Sequence, residues 1–170
     1  MITIRAEQPG DIDPIDRVHR AAFPTAAEAR LVEQLRRHGR LWLSLVAKDN
    51  SSIIGHIAFS PVRIEGSNEP TPGVGLAPVA VLPEYQRQGI GSRLIREGLS
   101  ACKQTEFSFV VVLGEPAYYR RFGFEPASRW GLGNEYRVDE AFMAIELQHE
   151  AVLAGGRLVV YAPEFAELVG

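Results

Sequence analysis

VLPEYQRQGIGSRLIREGL, residues 81–99, decides the fold. It opens as the end of a strand, passes through a proline and two spaced glycines, and closes as a charged amphipathic helix. Residues 74–82 (VGLAPVAVL) lead into it as an apolar run, and residues 107–113 (FSFVVVL) follow it as another. A nearly unbroken apolar run suits a strand buried on both faces, as in a parallel pair. Strand, glycine-containing turn, helix and buried strand make a βαβ unit over residues 74–113. On its helix, Leu94, Ile95, Leu99 and Cys102 share a face, while Arg93, Arg96 and Glu97 point elsewhere.

The turn itself is Gln86-Arg87-Gln88-Gly89-Ile90-Gly91. A helix start leaves several backbone N–H groups without partners, and the aligned peptide dipoles add partial positive charge there. Glycines let an anion approach the backbone closely. Arg87 adds a charge-assisted contact. The physical expectation is a pyrophosphate site, against the plainer reading that Gly89 and Gly91 only permit a tight turn. Nucleotide motifs fit poorly. A P-loop needs G-x-x-x-x-G-K-S/T, and the dinucleotide fingerprint needs a third glycine where Leu94 stands.

Working outward, Ile2 and Ile4 alternate with polar neighbours as a short strand. Asp11 is placed to cap a helix carrying Ile12, Ile15, Val18 and Ala22. Thr25 with Glu28 has the capping-box pattern before a second helix carrying Leu31, Val32 and Leu35. Gly39 suits its end. Residues 41–47 and 53–59 read as an antiparallel hairpin about residues 48–51. Residues 65–73 (EGSNEPTPG) read as a loop. Residues 116–121 suit a short helix ended by Gly123. Strands return at 142–147 and 158–161, and a last short helix at 162–168. The order predicts an α/β chain with a mixed sheet and helices on both faces.

At 170 residues the chain is expected to form a single domain, residues 1–170. Net charge is −3, so no general attraction to nucleic acid is expected. One cysteine excludes an internal disulfide framework and a multi-cysteine zinc site. No apolar run nears the roughly 18 residues that span a bilayer, and residues 1–13 lack signal-peptide organisation. The expectation is a cytoplasmic protein with no membrane partner. The four histidines show no metal spacing, so no metal is expected. His19 and His38 fall on expected helices, His56 on a strand and His149 in the tail, with surface or packing roles. Cys102, on an apolar helix face, reads as a buried structural thiol. Arg36-Arg37 and Arg120-Arg121 read as solvated surface.

LPEYQRQGIGSRLI, residues 82–95, resembles the acyl-CoA signature of the GNAT superfamily of N-acetyltransferases, Q/R-x-x-G-x-G/A, with Gln86, Gly89 and Gly91 in its fixed places. The element order is similar to that fold over nearly the whole chain. In AYYRRFGF, residues 117–124, Tyr119 stands four residues before Gly123-Phe124, a spacing at which these enzymes commonly carry a tyrosine. GHIAFSPV (55–62), LGEPAYYRRFGF (113–124) and DEAFMAIEL (139–147) are similar to one bacterial branch, the YhbS-like acetyltransferases.

The resemblance implies a GNAT-like acyl-CoA N-acyltransferase fold and an acetyl-CoA-dependent N-acetyltransferase. It places the pantetheine arm of acetyl-CoA on the backbone edge of Val79, Ala80 and Val81. It places the pyrophosphate against Arg87, Gln88, Gly89, Ile90, Gly91 and Ser92, with Gln86 opening the motif. An amine would attack the thioester directly, a strand N–H near Val81 would steady the carbonyl oxygen, and Tyr119 would serve the leaving thiolate. Adjacent helical residues project roughly 100° apart, so Tyr118 and Tyr119 do not both face one sulfur. The sequence departs from the family at Val112, where many members carry a cofactor-holding asparagine, and in residues 74–82, which contain no acid to act as base. Glu28, His56, Glu115 and a water relay stay open for that role. Residues 23–29 and 130–136 are where the resemblance puts the acceptor, a small-molecule or peptide amine of unknown identity. The acyl group, and a homodimer such as is common in the superfamily, stay open. A non-catalytic acyl-CoA-binding or regulatory module is the competing reading.

Overall fold

The alternation of Ile2 and Ile4 is realised as strand β1, Ile2–Ala6, in a computed structural model that describes residues 1–65, 73–147 and 158–169. The chain divides into two contact units. The first is Met1–Ser60, Ala77–Gly98 and Pro163–Gly170, and the second is Pro61–Leu76 and Leu99–Ala162.

In the first unit β1 pairs antiparallel with β2, Leu43–Asp49, with Ile2 opposite Asp49. β2 pairs antiparallel with β3, Ser52–Glu65. Pairing reaches Asp49 and Ser52, so the hairpin turn tightens to Asn50 and Ser51. Asn50 takes a left-handed φ of 56°, a conformation asparagine tolerates. β4, Gly73–Val81, follows β3 in the sheet. Strand alternation then sorts the faces. Helices α1, Ile12–Ala22, and α2, Ala27–Arg37, cover one side, with Ile15 and Val32 packed on Val46. Helix α3, Ile90–Lys103, covers the other. A Cβ built on its Gly98 would lie 2.5 Å from the ring of Phe59, and one on Gly55 would lie 3.2 Å from the side chain of Leu94.

Both expected helix caps are corrected. Asp11 stands at the N-cap of α1, but its side chain makes no cap bond to that helix. Its carboxylate takes the Arg5 guanidinium at 2.6 and 3.1 Å and the Gln8 N–H at 2.7 Å. A bidentate, charge-assisted pair is the stronger partner, and it holds the Asp11 carboxyl below the usual range. The box at Thr25 and Glu28 does not form either. α2 begins at Ala27 with Ala26 at its N-cap, so Glu28 is the second helical residue rather than the third. Thr25 accepts instead from the Ala27 N–H at 3.3 Å. At the far end of α2, Gly39 takes φ +71°, and the Arg40 N–H closes back on the Leu35 carbonyl at 2.8 Å. The expected last helix is a 3-10 turn, Pro163–Phe165, followed by α5, Ala166–Val169. The turn is tied to the end of α2 by Glu164, which meets His38 at 2.9 Å and Arg40 at 2.8 Å.

In the second unit the start of β4 pairs parallel with β5, Phe109–Leu113, through Gly73–Phe109, Val74–Val110 and Gly75–Val111. Two-residue strands β6, Glu125–Pro126, and β7, Gly133–Asn134, are too short to leave a period in the sequence. β8, Phe142–Glu146, runs antiparallel to β5 and carries β6 on its other edge. β9, Leu158–Val160, pairs with Arg63–Glu65 of β3 and with β7. Phe109, Val110 and Val111 are fully buried, as their apolar run requires. Cys102 is buried on the apolar face of α3, and burial pushes its thiol up to about 12. The loop expected at 65–73 lies, at residues 66–72, outside the described residues, as does His149 in the tail. No helix among the described residues is long and apolar enough to cross a membrane.

Candidate active site

Within the first unit, β4 ends at Val81 and a 3-10 turn follows, Pro83–Tyr85. The Leu82 N–H donates to the Ile54 carbonyl at 2.9 Å, which fastens the strand end to β3. The Gln86 side-chain amide then reaches back and donates to the Val81 carbonyl at 2.9 Å. Gln86, first residue of the motif, therefore ties the turn to the strand edge. The Tyr85 hydroxyl on Asp49, at 3.0 Å, holds the turn to the β2–β3 hairpin.

Beyond Gln86 the backbone twice enters the left-handed region, at Arg87 with φ +63° and at Gly89 with φ +82°. A Cβ at Gly89 would meet nothing within 4 Å, so its glycine serves the backbone angle and not the space. An arginine in this region carries strain of roughly 1 kcal/mol, which clusters at functional sites. The Arg93 N–H closes the first helical turn on the Gly89 carbonyl at 3.1 Å. The N–H groups from Gly89 to Ser92 precede that bond and belong to the helix start. Left-handed residues in a turn make concavities of backbone N–H groups suited to anions. Residues 86–89 are exposed, while Ile90 is buried beneath them. Val79 is half-buried, and Ala80 and Val81 are buried. Their side chains pack in the core, so the backbone is what they offer a ligand.

Within the second unit, Tyr119 ends the short helix α4, Pro116–Tyr119. Its N–H and that of Tyr118 both donate to the Glu115 carbonyl at 3.1 Å. Gly123, at φ +97°, ends the following 3-10 turn. The Tyr119 ring stands edge-on to Phe124, with centroids 5.7 Å apart, and edge-on to Tyr118 at 5.2 Å. The two tyrosine planes lie 86° apart, and the Arg121 guanidinium covers the Tyr118 ring at 5.2 Å. Tyr119 is thus a packed aromatic as well as a candidate donor. Burial, with Tyr118 adding a smaller push, raises its phenol to about 12. The group keeps its proton throughout the neutral range.

The open positions also resolve in part. Val112 is buried in β5 opposite Met143, and a valine there offers a cofactor no side-chain hydrogen bond. Glu115 is exposed. Glu28 is half-buried, and its Oε1 is buried with no partner. His56 is fully buried and spends both ring nitrogens on neighbours, His19 and Ser44, each at 2.8 Å. In the sequence His19 and His56 stand on separate elements, a helix and a strand. They lie 37 residues apart, and no local pattern pairs a helix residue with a strand residue across that distance.

Comparison with known proteins points one way. A family model described as an acetyltransferase (GNAT) domain matches residues 3–127. The chain is 41% identical over 164 residues to the uncharacterized N-acetyltransferase YhbS of Escherichia coli strain K12, across 95% of this chain and 97% of that one. Its fold is similar to a crystal structure of E. coli YhbS in complex with CoA, with a TM-score of 0.90 and 40% identity over 96% of this chain and 91% of that one. It is also similar to a GNAT family acetyltransferase from Brucella melitensis in complex with acetyl-CoA, with a TM-score of 0.79 and 35% identity over 97% and 98% of the two chains.

Proposed function

The chain belongs to the GNAT family of acetyltransferases, and we propose that it moves an acetyl group from acetyl-CoA to a primary amine by direct attack on the thioester. The observation that carries this reading is the turn after β4. Two left-handed residues, Arg87 and Gly89, open the N-terminus of α3 on an exposed surface. Arg87, Gln88, Gly89, Ile90, Gly91 and Ser92 would receive the pyrophosphate there, with Gln86 opening the motif and tying it to Val81. The solved relatives with CoA and acetyl-CoA support the choice of cosubstrate.

The backbone of Val79, Ala80 and Val81 would take the pantetheine amides as an added strand. The registered pairs between β4 and β5 run from Gly73 to Gly75, and Pro78 offers no N–H to a ladder. Tyr119 would act on the leaving thiolate. A phenol held at about 12 stays protonated at neutral pH, and a hydrogen bond from it stabilises charge developing on sulfur. A small molecule or a peptide is the proposed acceptor class.

The second reading, an acyl-CoA-binding module without turnover, has one observation in its favour: the buried Val112 offers no side-chain hydrogen bond where the resemblance implies a cofactor-holding asparagine. A melt separates both readings from nucleotide binding, and a transfer assay separates them from each other. Acetyl-CoA at about 100 times its dissociation constant adds roughly 2.7 kcal/mol of stability. For a domain of this size that raises Tm by about 5–11 °C. A shift with acetyl-CoA and none with ATP or NAD is expected, followed by acetyl transfer to an amine panel. Binding without transfer to any amine favours the module. No shift at saturation removes the turn from the site.

A further inference from the structure

A chain of polar side chains, two of them buried and three half-buried, crosses the first unit, and the reading above leaves it without a task. His19, in the last turn of α1, and His56, on β3, are both 0% exposed. Their rings meet edge to face at 87°, with His19 Nε2 2.8 Å from His56 Nδ1. His56 Nε2 lies 2.8 Å from Ser44 Oγ, and the Ser44 hydroxyl donates to Glu7 Oε1 at 2.7 Å. Arg36 completes the chain, with Nη2 on Oε1 at 2.9 Å and Nε on Oε2 at 3.1 Å.

The far end dictates where every proton sits. Glu7, gripped twice by Arg36, is a carboxylate and only accepts. Ser44 has one proton and gives it to Glu7, so its oxygen accepts from His56 Nε2–H. Burial keeps both rings neutral. It holds His19 down at about 4 and His56 well below the ordinary histidine value, and Arg36 pushes both the same way while Asp16 pulls His19 back. A neutral His56 that donates from Nε2 has a lone pair on Nδ1, which His19 Nε2–H fills. His19 is then left with a bare lone pair on Nδ1. That atom is buried and has no partner. Oε1 of Glu28, in the first turn of α2, is a second buried acceptor without one. The two residues bracket the connection between α1 and α2. Both lack a donor, and donors are what an ammonium group carries.

β3 supplies the address. Gly55, Ile57 and Phe59 turn toward Leu94 and Gly98 of α3, so His56 projects from the opposite face toward α1. The Ile54 carbonyl receives the Leu82 N–H, and a Cβ on Gly55 would lie 3.3 Å from the Ala80 carbonyl. His56 therefore stands one strand away from the edge at Val79, Ala80 and Val81.

We propose that His19 is the base that takes a proton from the acceptor's ammonium group, and that His56, Ser44 and Glu7 pass the charge on to solvent. The inference rests on the transferase reading. One ammonium N–H bond breaks and His19 Nδ1–H forms, directly or through one water. The Nε2 proton of His19 moves to His56 Nδ1, that of His56 to Ser44, and that of Ser44 to Glu7. The Glu7 acid loses its proton to water in a groove of about 340 Å³ lined by Glu7, Arg36, Trp42 and Ser44. The neutral amine forms its bond to the thioester carbon, the C–S bond breaks, and a second proton from nitrogen ends on the thiolate. Once product leaves, a proton re-enters at Glu7 as Nδ1–H is lost to water, which restores both rings.

Two measurements on the full chain test this. Histidine side-chain 15N–1H correlation spectra at pH 7 should show both rings neutral with the proton on Nε2. A proton on Nδ1 of either ring, or a charged ring, overturns the relay. Acetyl transfer is then followed for wild type, His19→Gln and Ser44→Ala with spermidine, a lysine peptide, an α-amino peptide and an aminoglycoside. Both variants should lose at least tenfold in kcat while the acetyl-CoA melting shift is kept. The deficit should shrink as pH nears the amine pKa of about 10.4, where the amine arrives neutral. A deficit that does not change with pH, or none, overturns the role of His19. Wild type that binds acetyl-CoA but acetylates none of the four overturns the transferase reading, and the relay's catalytic role with it.

Discussion

The ring of Tyr119 lies where any side chain on Gly114 would begin. Contact is so close that a Cβ at 114 is incompatible with the ring's position, and the backbone carbonyl of Glu115 fixes the helix that carries the ring. Gly114→Ala should therefore drive the ring out of place. Overpacking of this kind costs about 1–3 kcal/mol. Turnover should fall together with Tm, and unchanged values for both would show that the ring is not held there.

Tyr119→Phe keeps the packing against Phe124 and removes only the hydroxyl. Turnover should fall by about 10²-fold, with acetyl-CoA affinity changed by less than about twofold. Parallel loss of binding and turnover in isothermal titration and rate measurements would argue against a role at the thiolate.

Gly89 permits two substitutions that ask different questions. Gly89→Ala meets open space but keeps φ at +82°, so its cost is conformational, roughly 1–2 kcal/mol, and appears in the melt without ligand. Gly89→Glu adds a negative charge where the pyrophosphate is proposed to sit and should abolish the acetyl-CoA melting shift. Undiminished affinity in a folded Gly89→Glu protein would take the turn out of the site.

The buried histidines make stability depend on pH in a stated direction. Both have folded values below the ordinary 6.5, His19 at about 4. Between those values the unfolded chain binds more protons than the folded one, so stability is fully present above about pH 6.5 and falls as pH drops toward 4. Each extra proton held by the unfolded chain contributes about 1.4 kcal/mol per pH unit. Asp11 beside Arg5, and Glu164 beside Arg40 and His38, act in the same direction at lower pH, below the ordinary carboxylate range. Urea unfolding from pH 7.5 to 4.5 should show a steepening loss, and a flat profile above pH 5 would mean that the rings titrate normally.

The βαβ unit was legible because its signals are local: an apolar run, a glycine turn, and Leu94, Ile95, Leu99 and Cys102 at helical spacing. The tyrosine helix was legible through Pro116 and Gly123. The caps were not, because Asp11 found a partner on β1 in Arg5 and because α2 starts one residue later than Thr25 and Glu28 suggest. Nor was the pairing of His19 with His56. Each looked like packing in its own element, and only the docking of α1 on β3 joins their hydrogen bonds. Val112 was legible as a departure, and its burial in β5 follows from the same apolar run that revealed the strand.

Cys102, buried on α3 with its thiol raised to about 12, turns the protein into its own stopwatch. A thiol reagent needs a thiolate and a path to it, and the folded chain grants neither. Modification then proceeds only as often as that part of the molecule opens. Because the sequence contains one cysteine, every labelled molecule counts one opening. A ligand that closes on the folded state will register as a slower clock, with no substrate turned over and no acceptor known.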